Sequence, residues 1–273
     1  MKKISYAVLM AILFVGFTGC GDDSSSTGPD VKENPPEMPN IENAQPDVSF
    51  FQENNPQKSA TDELNETNNF NQARMTVLWN TMFFSFGQSY GTLFSQANQE
   101  EADFNNGVWE WSYTYNFEGM SASYRTTAEE VGNSVKWATY WSYDDGQGNS
   151  VDNYKIFEGT VSNDESTGDW TFNAMDSDLQ EEVPFITSTW NFTSETEKEI
   201  NLTMYGDAID DESADETATI DFVQEGTDFS MDLNFADGEN HLVTWNTDTN
   251  IGSITTNGET VCWNENFQDV SCE

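Results

Sequence analysis

The sequence predicts a mainly β fold, an antiparallel meander of roughly eleven or twelve strands that forms a barrel or a strongly curved sheet. An N-terminal helix, split or whole, is expected to pack on it. Three observations carry this reading. From Gly107 onward, apolar residues recur with a period of two. The alternating runs are short and separated by Gly, Asn and Asp clusters, with no intervening helical pattern, which makes neighbours antiparallel. Before Gly107, one stretch carries apolar residues at helical spacing instead.

The chain opens on Lys2 and Lys3 and then holds no charge over residues 4–19. That run falls short of the ~20 residues of a bilayer span. A basic start, apolar middle and small-residue end is the layout of a secretory signal. Phe17-Thr18-Gly19-Cys20 resembles the lipobox of bacterial lipoproteins, with Phe where the family usually has Leu. The resemblance implies a signal peptide over 1–19, lipidation of Cys20 and anchorage in the outer membrane. Gly21 differs from the aspartate that retains some lipoproteins in the inner membrane. Asp22 and Asp23 look like the acidic tag that sends some to the cell surface, so a surface-facing domain is favoured over a periplasmic one. Ser24 to Pro56 is rich in Ser, Pro, Asn, Asp and Glu, a composition that buries too little to order itself. Residues 20–56 are therefore expected to be a lipidated tether, and 57–273 a single helix-plus-β domain.

The expected helix has a capping residue at Ser59 or Thr61 and acids in its first turn. Phe70, Ala73, Val77, Leu78, Met82, Phe86, Leu93 and Phe94 form its apolar stripe. Gly87 and Gly91 are expected to weaken it and divide it in two. Such a stripe either packs on the sheet or meets lipid or a partner; packing is the commoner use.

In "VWEWSYTYNFEG" Trp109, Trp111, Tyr113, Tyr115 and Phe117 share one side of a strand, and "VKWATYWSY" aligns Val135, Trp137, Thr139, Trp141 and Tyr143. Nine further runs follow, from "YKIFEGTV" to "TVCWN". Asn257-Gly258 suits a type I′ hairpin turn. A membrane-spanning barrel is disfavoured, because most runs fall short of the ~10 residues needed to cross and an acyl anchor would be redundant.

The 49 acidic and 9 basic residues give a net charge of −40, and two of the basics lie in the leader. This field repels phosphate backbones, so nucleic acid is not an expected partner. Screened self-repulsion that keeps the surface soluble explains it better than capture of a cation. With Cys20 lipidated, Cys262 and Cys272 remain and read as a disulfide that staples the C-terminus.

No nucleophile elbow, zinc-spaced cysteine set or phosphate loop is present. His241 is the single histidine, and a triad using it would need a serine or cysteine and a carboxylate supplied by the fold. Asp207, Asp210, Asp211 and Glu212 crowd the run "GDAIDDESADE" and would suit Ca²⁺, though without the EF-hand spacing. No other metal or cofactor is expected. The aromatic load of 19 Phe, 9 Tyr and 9 Trp either fills a core poor in Leu and Val or lines a binding surface. If a ligand site exists, Trp109, Trp111, Tyr113, Trp137 and Trp141 are its expected residues. A curved antiparallel sheet with a helix behind a lipobox is similar in outline to the LolA/LolB group of lipoprotein carriers, a likeness of architecture that implies a hollow for acyl chains. The expected function is therefore a lipid-anchored, non-catalytic envelope β protein that binds an apolar ligand, a glycan or an envelope protein. The alternatives are a structural or adhesive surface lipoprotein without a small ligand, and an exported hydrolase using two carboxylates.

Overall fold

The computed structural model describes residues 34–39, 44–54, 68–95, 102–117, 119–175, 182–206 and 217–272. The described residues all fall in one compact unit, Asn34–Glu273. Its fourteen strands form one sheet in sequence order, every neighbour antiparallel. They are β1 (Asp103–Asn105), β2 (Val108–Phe117), β3 (Met120–Val131), β4 (Ser134–Asp144), β5 (Ser150–Ser162), β6 (Thr167–Met175) and β7 (Glu182–Ser194). Then follow β8 (Glu197–Tyr205), β9 (Thr217–Glu225), β10 (Asp228–Asn234), β11 (Asn240–Asn246), β12 (Gly252–Thr256), β13 (Glu259–Trp263) and β14 (Asp269–Val270).

The expected eleven or twelve strands fall short of the fourteen in the sheet. β1 and β14 are too short to show a period, and β3 hides its own. The sheet-facing residues of β3 include Ala128 and Thr126, small or polar, and Glu129 and Glu130 beside them read as helix formers. The barrel is not closed, since β1 and β14 lie at opposite ends of the strand order. Closure needs two edges long enough to ladder, and these hold three residues and two.

The tight turns follow from residues that tolerate positive φ. Asn257 and Gly258 sit at φ 49° and 87° between β12 and β13, as a type I′ turn requires. Asn106 and Gly107 do the same between β1 and β2.

Alternation places one side of the sheet in the core. A single cross-strand row runs Trp109, Ala128, Trp137, Gly159, Trp170, Ser188, Leu202, Ile220, Leu233, His241 and Thr256 from β2 to β12. Every member but the last two is buried. Three tryptophans lie over glycines of the preceding strand: Trp170 over Gly159, Trp190 over Gly168 and Trp263 over Gly252. A Cβ at any of these glycines would overlap the indole, so the bulky ring is accommodated by removing its neighbour's side chain. Trp190 Nε1 donates to Glu165 O at 3.1 Å and Trp263 Nε1 to Asn250 O at 2.9 Å, which ties each ring to a turn.

Two helices complete the core. α1 (Ser49–Glu53) falls within the stretch expected as tether, yet Phe50 and Phe51 are buried. Two adjacent phenylalanines are enough to dock a segment whose average composition is polar. α2 (Asn69–Ser95) lies against β11, β12 and β13 and buries Phe70, Ala73, Val77 and Phe84. Asn68 caps it, its Oδ1 accepting from Asn71 N at 2.7 Å. The caps expected at Ser59 or Thr61 lie outside the described residues. α2 is continuous through Gly87 and Gly91, so the expected split does not occur. Each glycine costs about 1 kcal/mol against alanine, which a helix of this length absorbs. Its start is stitched to the C-terminal strands, where Asn69 N donates to Asp269 Oδ1 and Asn69 Nδ2 to Cys262 O, both at 2.8 Å. The Cys262–Cys272 disulfide closes that corner.

Candidate functional site

The five aromatic residues expected at a site come together on the buried side of β2 and β4. Trp111 and Trp137 stack with centroids 6.0 Å apart and planes at 22°. Trp109 packs on Phe104, with centroids 4.6 Å apart. These three are core residues, Trp111 being 1% exposed. Tyr113 and Trp141 are different: both are half-buried, one layer further along the same strands.

That layer is an aromatic row. Tyr113 pairs with Tyr124, Tyr124 with Trp141, and Trp141 with Tyr154, across β2 to β5. Adjacent strands lie ~4.8 Å apart, so these four residues are neighbours across the sheet, and Trp141 stacks on Tyr143 of the next layer with centroids 5.7 Å apart. The next layer outward holds Tyr115, Ala122, Tyr143 and Val151, and here Tyr115 is 37% exposed. Burial therefore falls layer by layer from Trp111 to Tyr115, and the aromatic side meets solvent at this end of the sheet. Tyr124 was not legible as a site residue because β3 was not legible as a strand.

The local backbone opens the same corner. β5 pairs with β6 only from Phe157 to Val161, so Ser150 to Ile156 depart from that ladder. Lys155 shows how the departing backbone is satisfied. Its N–H donates to Glu182 Oε1 at 2.7 Å, and its carbonyl accepts from Asn173 Nδ2 at 3.0 Å. Register shifts in the β4–β5 pairing bend β5 there, leaving both Ile156 and Phe157 buried in succession.

Polar atoms without partners lie in the row and in the buried layers next to it. The indole nitrogens of Trp109, Trp111 and Trp141 are buried and have no acceptor among the described residues; those of Trp170 and Trp245 share this condition elsewhere in the core. A buried donor left unmatched costs about 1–3 kcal/mol. In the layer of Trp111, Thr126 Oγ1 and Thr139 Oγ1 share one hydrogen bond at 3.2 Å. The corner thus combines ring faces with donors that can take an acceptor.

His241 lies at the end of its strand, between Thr256 and Glu239. Its Nδ1 is 3.1 Å from Thr256 Oγ1 and its Nε2 3.2 Å from Glu239 Oε1. The fold supplies the carboxylate a triad would need, but the hydroxyl is a threonine rather than a serine or cysteine. A shallow hollow lined by Asp237, Glu239 and Asn257 adjoins it.

Among the described carboxylates, burial pushes Asp221 up from its ordinary value, and repulsion by Asp232 and Glu199 adds to it. Asp221 and Asp232 are cross-strand partners, on the side of the sheet away from the core. Asp169 is likewise raised, chiefly by burial. Among the described residues no group of three His, Cys, Asp or Glu side chains could hold a metal ion. Asp207, Asp210, Asp211 and Glu212, together with Cys20, lie outside the described residues.

Comparison with known proteins finds no matching family model, no matching curated protein and no matching solved structure.

Proposed function

We propose that this chain is a lipid-anchored, non-catalytic β protein of the cell envelope, held at the outer membrane through acylated Cys20, and that it binds an apolar ligand or a glycan. We read the sheet as strongly curved, because one side of so many strands is buried with only α1 and α2 to cover it. The observation that carries the binding reading is the graded aromatic corner. Tyr113, Tyr124, Trp141 and Tyr154 form a continuous row that opens toward Tyr115, and unmatched indole donors lie beneath it. Ring faces favour acyl chains or sugar rings, and the donors favour a ligand that also carries acceptor oxygens. The lipobox resemblance of Phe17–Cys20 supports the anchor and, with Asp22 and Asp23, a surface-facing orientation.

A structural or adhesive role without a small ligand has its own supporting observation, the nearly complete burial of Trp109, Trp111 and Trp137. The deciding experiment is native mass spectrometry of the full chain incubated with a total lipid and polysaccharide extract of its host's envelope. The binding reading expects a one-to-one adduct, reduced at least about tenfold by Trp141→Ala, which alters the half-buried row and spares the buried layer. A clean apo mass from a folded protein would overturn it and leave the structural role.

A further inference from the structure

α2 buries one apolar side in the core and presents two large apolar side chains, Met75 and Trp79, to solvent on another. Phe70, Ala73 and Val77 are buried, whereas Gln72, Met75 and Trp79 form an exposed line at helical spacing. Trp79 is 62% exposed and Met75, one turn earlier, is 49% exposed. Phe83 follows one turn later, half-buried. The charge pattern of this region is unlike that of the chain after Asp22. No acidic residue occurs between Glu66 and Glu100, and the single charged residue there is Arg74, in a sequence of 49 acids. Arg74 Nε is engaged by Phe51 O at 2.8 Å.

We infer that the outward side of α2 rests on a phospholipid surface, with Trp79 and Met75 seated at the level of the headgroups. Indole rings favour that interface, where the ring is desolvated and the N–H stays near water. Charge selects the occupant. A second copy of this chain would bring a second strongly acidic body close to the first, whereas a zwitterionic lipid surface adds no such repulsion. A helix without acids, whose exposed line begins beyond the Asp269 contact at Asn69, meets less repulsion at an anionic or zwitterionic surface than the acidic strands do. Among the described residues no helix is long and apolar enough to cross a membrane, so the contact is peripheral. The inference rests on the lipid-anchored reading, because two side chains bind weakly alone. An anchor at Cys20, nearer in sequence to α1 and α2 than to any strand, would make the contact intramolecular.

The test uses the full chain purified from membranes and reconstituted into vesicles of phosphatidylcholine and phosphatidylethanolamine, beside its Trp79→Phe variant. The difference between their emission spectra isolates Trp79 from the other tryptophans. We expect that difference spectrum to lie to the blue of a water-exposed indole and to lose at least half its intensity when the lipids are brominated. A difference spectrum that stays water-like and unquenched overturns the inference, as does a Trp79-dependent dimer in sedimentation without quenching. The intact mass of the same preparation shows separately whether Cys20 is N-terminal and acylated. An unacylated chain that is still quenched would therefore sink the anchor and keep the helix contact.

Discussion

At the scale of single residues, the clearest constraint is the contact between indole rings and bare glycine backbone. A Cβ at Gly159 would overlap the Trp170 ring, which packs against Phe157 and Trp190 and has little room to retreat. Gly159→Ala is expected to destabilise by about 1–3 kcal/mol, read from the midpoint of urea unfolding. The indole nitrogens offer a sharper comparison. Trp263→Phe removes a hydrogen bond to Asn250 O, whereas Trp111→Phe removes a donor with no acceptor. Both lose the same volume, so Trp263→Phe should cost about 1 kcal/mol more in the absence of ligand. Among the carboxylates, Asp221 holds its proton more readily in the folded state than in the unfolded chain, because burial and the nearby Asp232 and Glu199 disfavour its charge. It therefore opposes folding once pH rises above the ordinary carboxyl range, and its penalty is absent below that range. Asp221→Asn should stabilise the protein at pH 7, and the gain should vanish as pH is lowered toward 3.8. Asp164 works in the opposite sense. Hydrogen bonds from Ser162, and then Ser166, hold it down to about 2, so its contribution is present above pH 3.8 and lost as pH falls through about 2. Stability profiles of Asp221→Asn and Asp164→Asn should therefore diverge in opposite directions from the parent.

At the scale of elements, strands with large alternating side chains were legible and those without were not. β2 announces itself through aromatic residues at every second position, and β4 through Val135, Trp137, Trp141 and Tyr143 on one side, because a pleated strand must send successive side chains to opposite sides. β3 packs between them using Ala128 and Thr126, small residues that make room for neighbouring indoles and leave no hydrophobic signature. The start of α2 was illegible for a related reason. Its cap, Asn68, stands in a run of asparagines, and what fixes the helix there is a pair of bonds to Cys262 and Asp269 nearly 200 positions away. α1 depends on tertiary burial of two phenylalanines and has no period to read. The C-terminal staple was legible, because two cysteines remaining in a chain read as exported have one simple use. Reducing Cys262–Cys272 is expected to cost about 3 kcal/mol for a loop of that length, measured as a shift in urea midpoint with and without reductant. Because Asn69 binds the carbonyl of Cys262, the loss should also raise hydrogen exchange in the first turn of α2.

At the scale of the whole molecule, a strongly acidic exterior surrounds an aromatic interior, and composition alone states that contrast. It does not state where the interior meets water. Trp109, Trp111 and Trp137 are the most conspicuous residues in the sequence, and they are core; Tyr113 and Trp141, less conspicuous beside them, stand at the rim. The difference arises from strand pairing. The β5 register shifts and its departure from β6 decide which layer of the row is exposed, and neither has a sequence signal. Tyr124 and Tyr154 join the row only through register with their neighbours. The proposed ligand site is thus a property of the assembled sheet, while the proposed anchor is a property of twenty residues at the start of the chain. Hydroxyl-radical footprinting of the full chain, with and without the envelope extract, tests the site most directly. The account expects Tyr113, Tyr115 and Trp141 to be oxidised in the free protein and protected severalfold by the extract, with Trp111 and Trp137 unreactive in both. Equal oxidation of Tyr113, Tyr115 and Trp141 in the two conditions would contradict it.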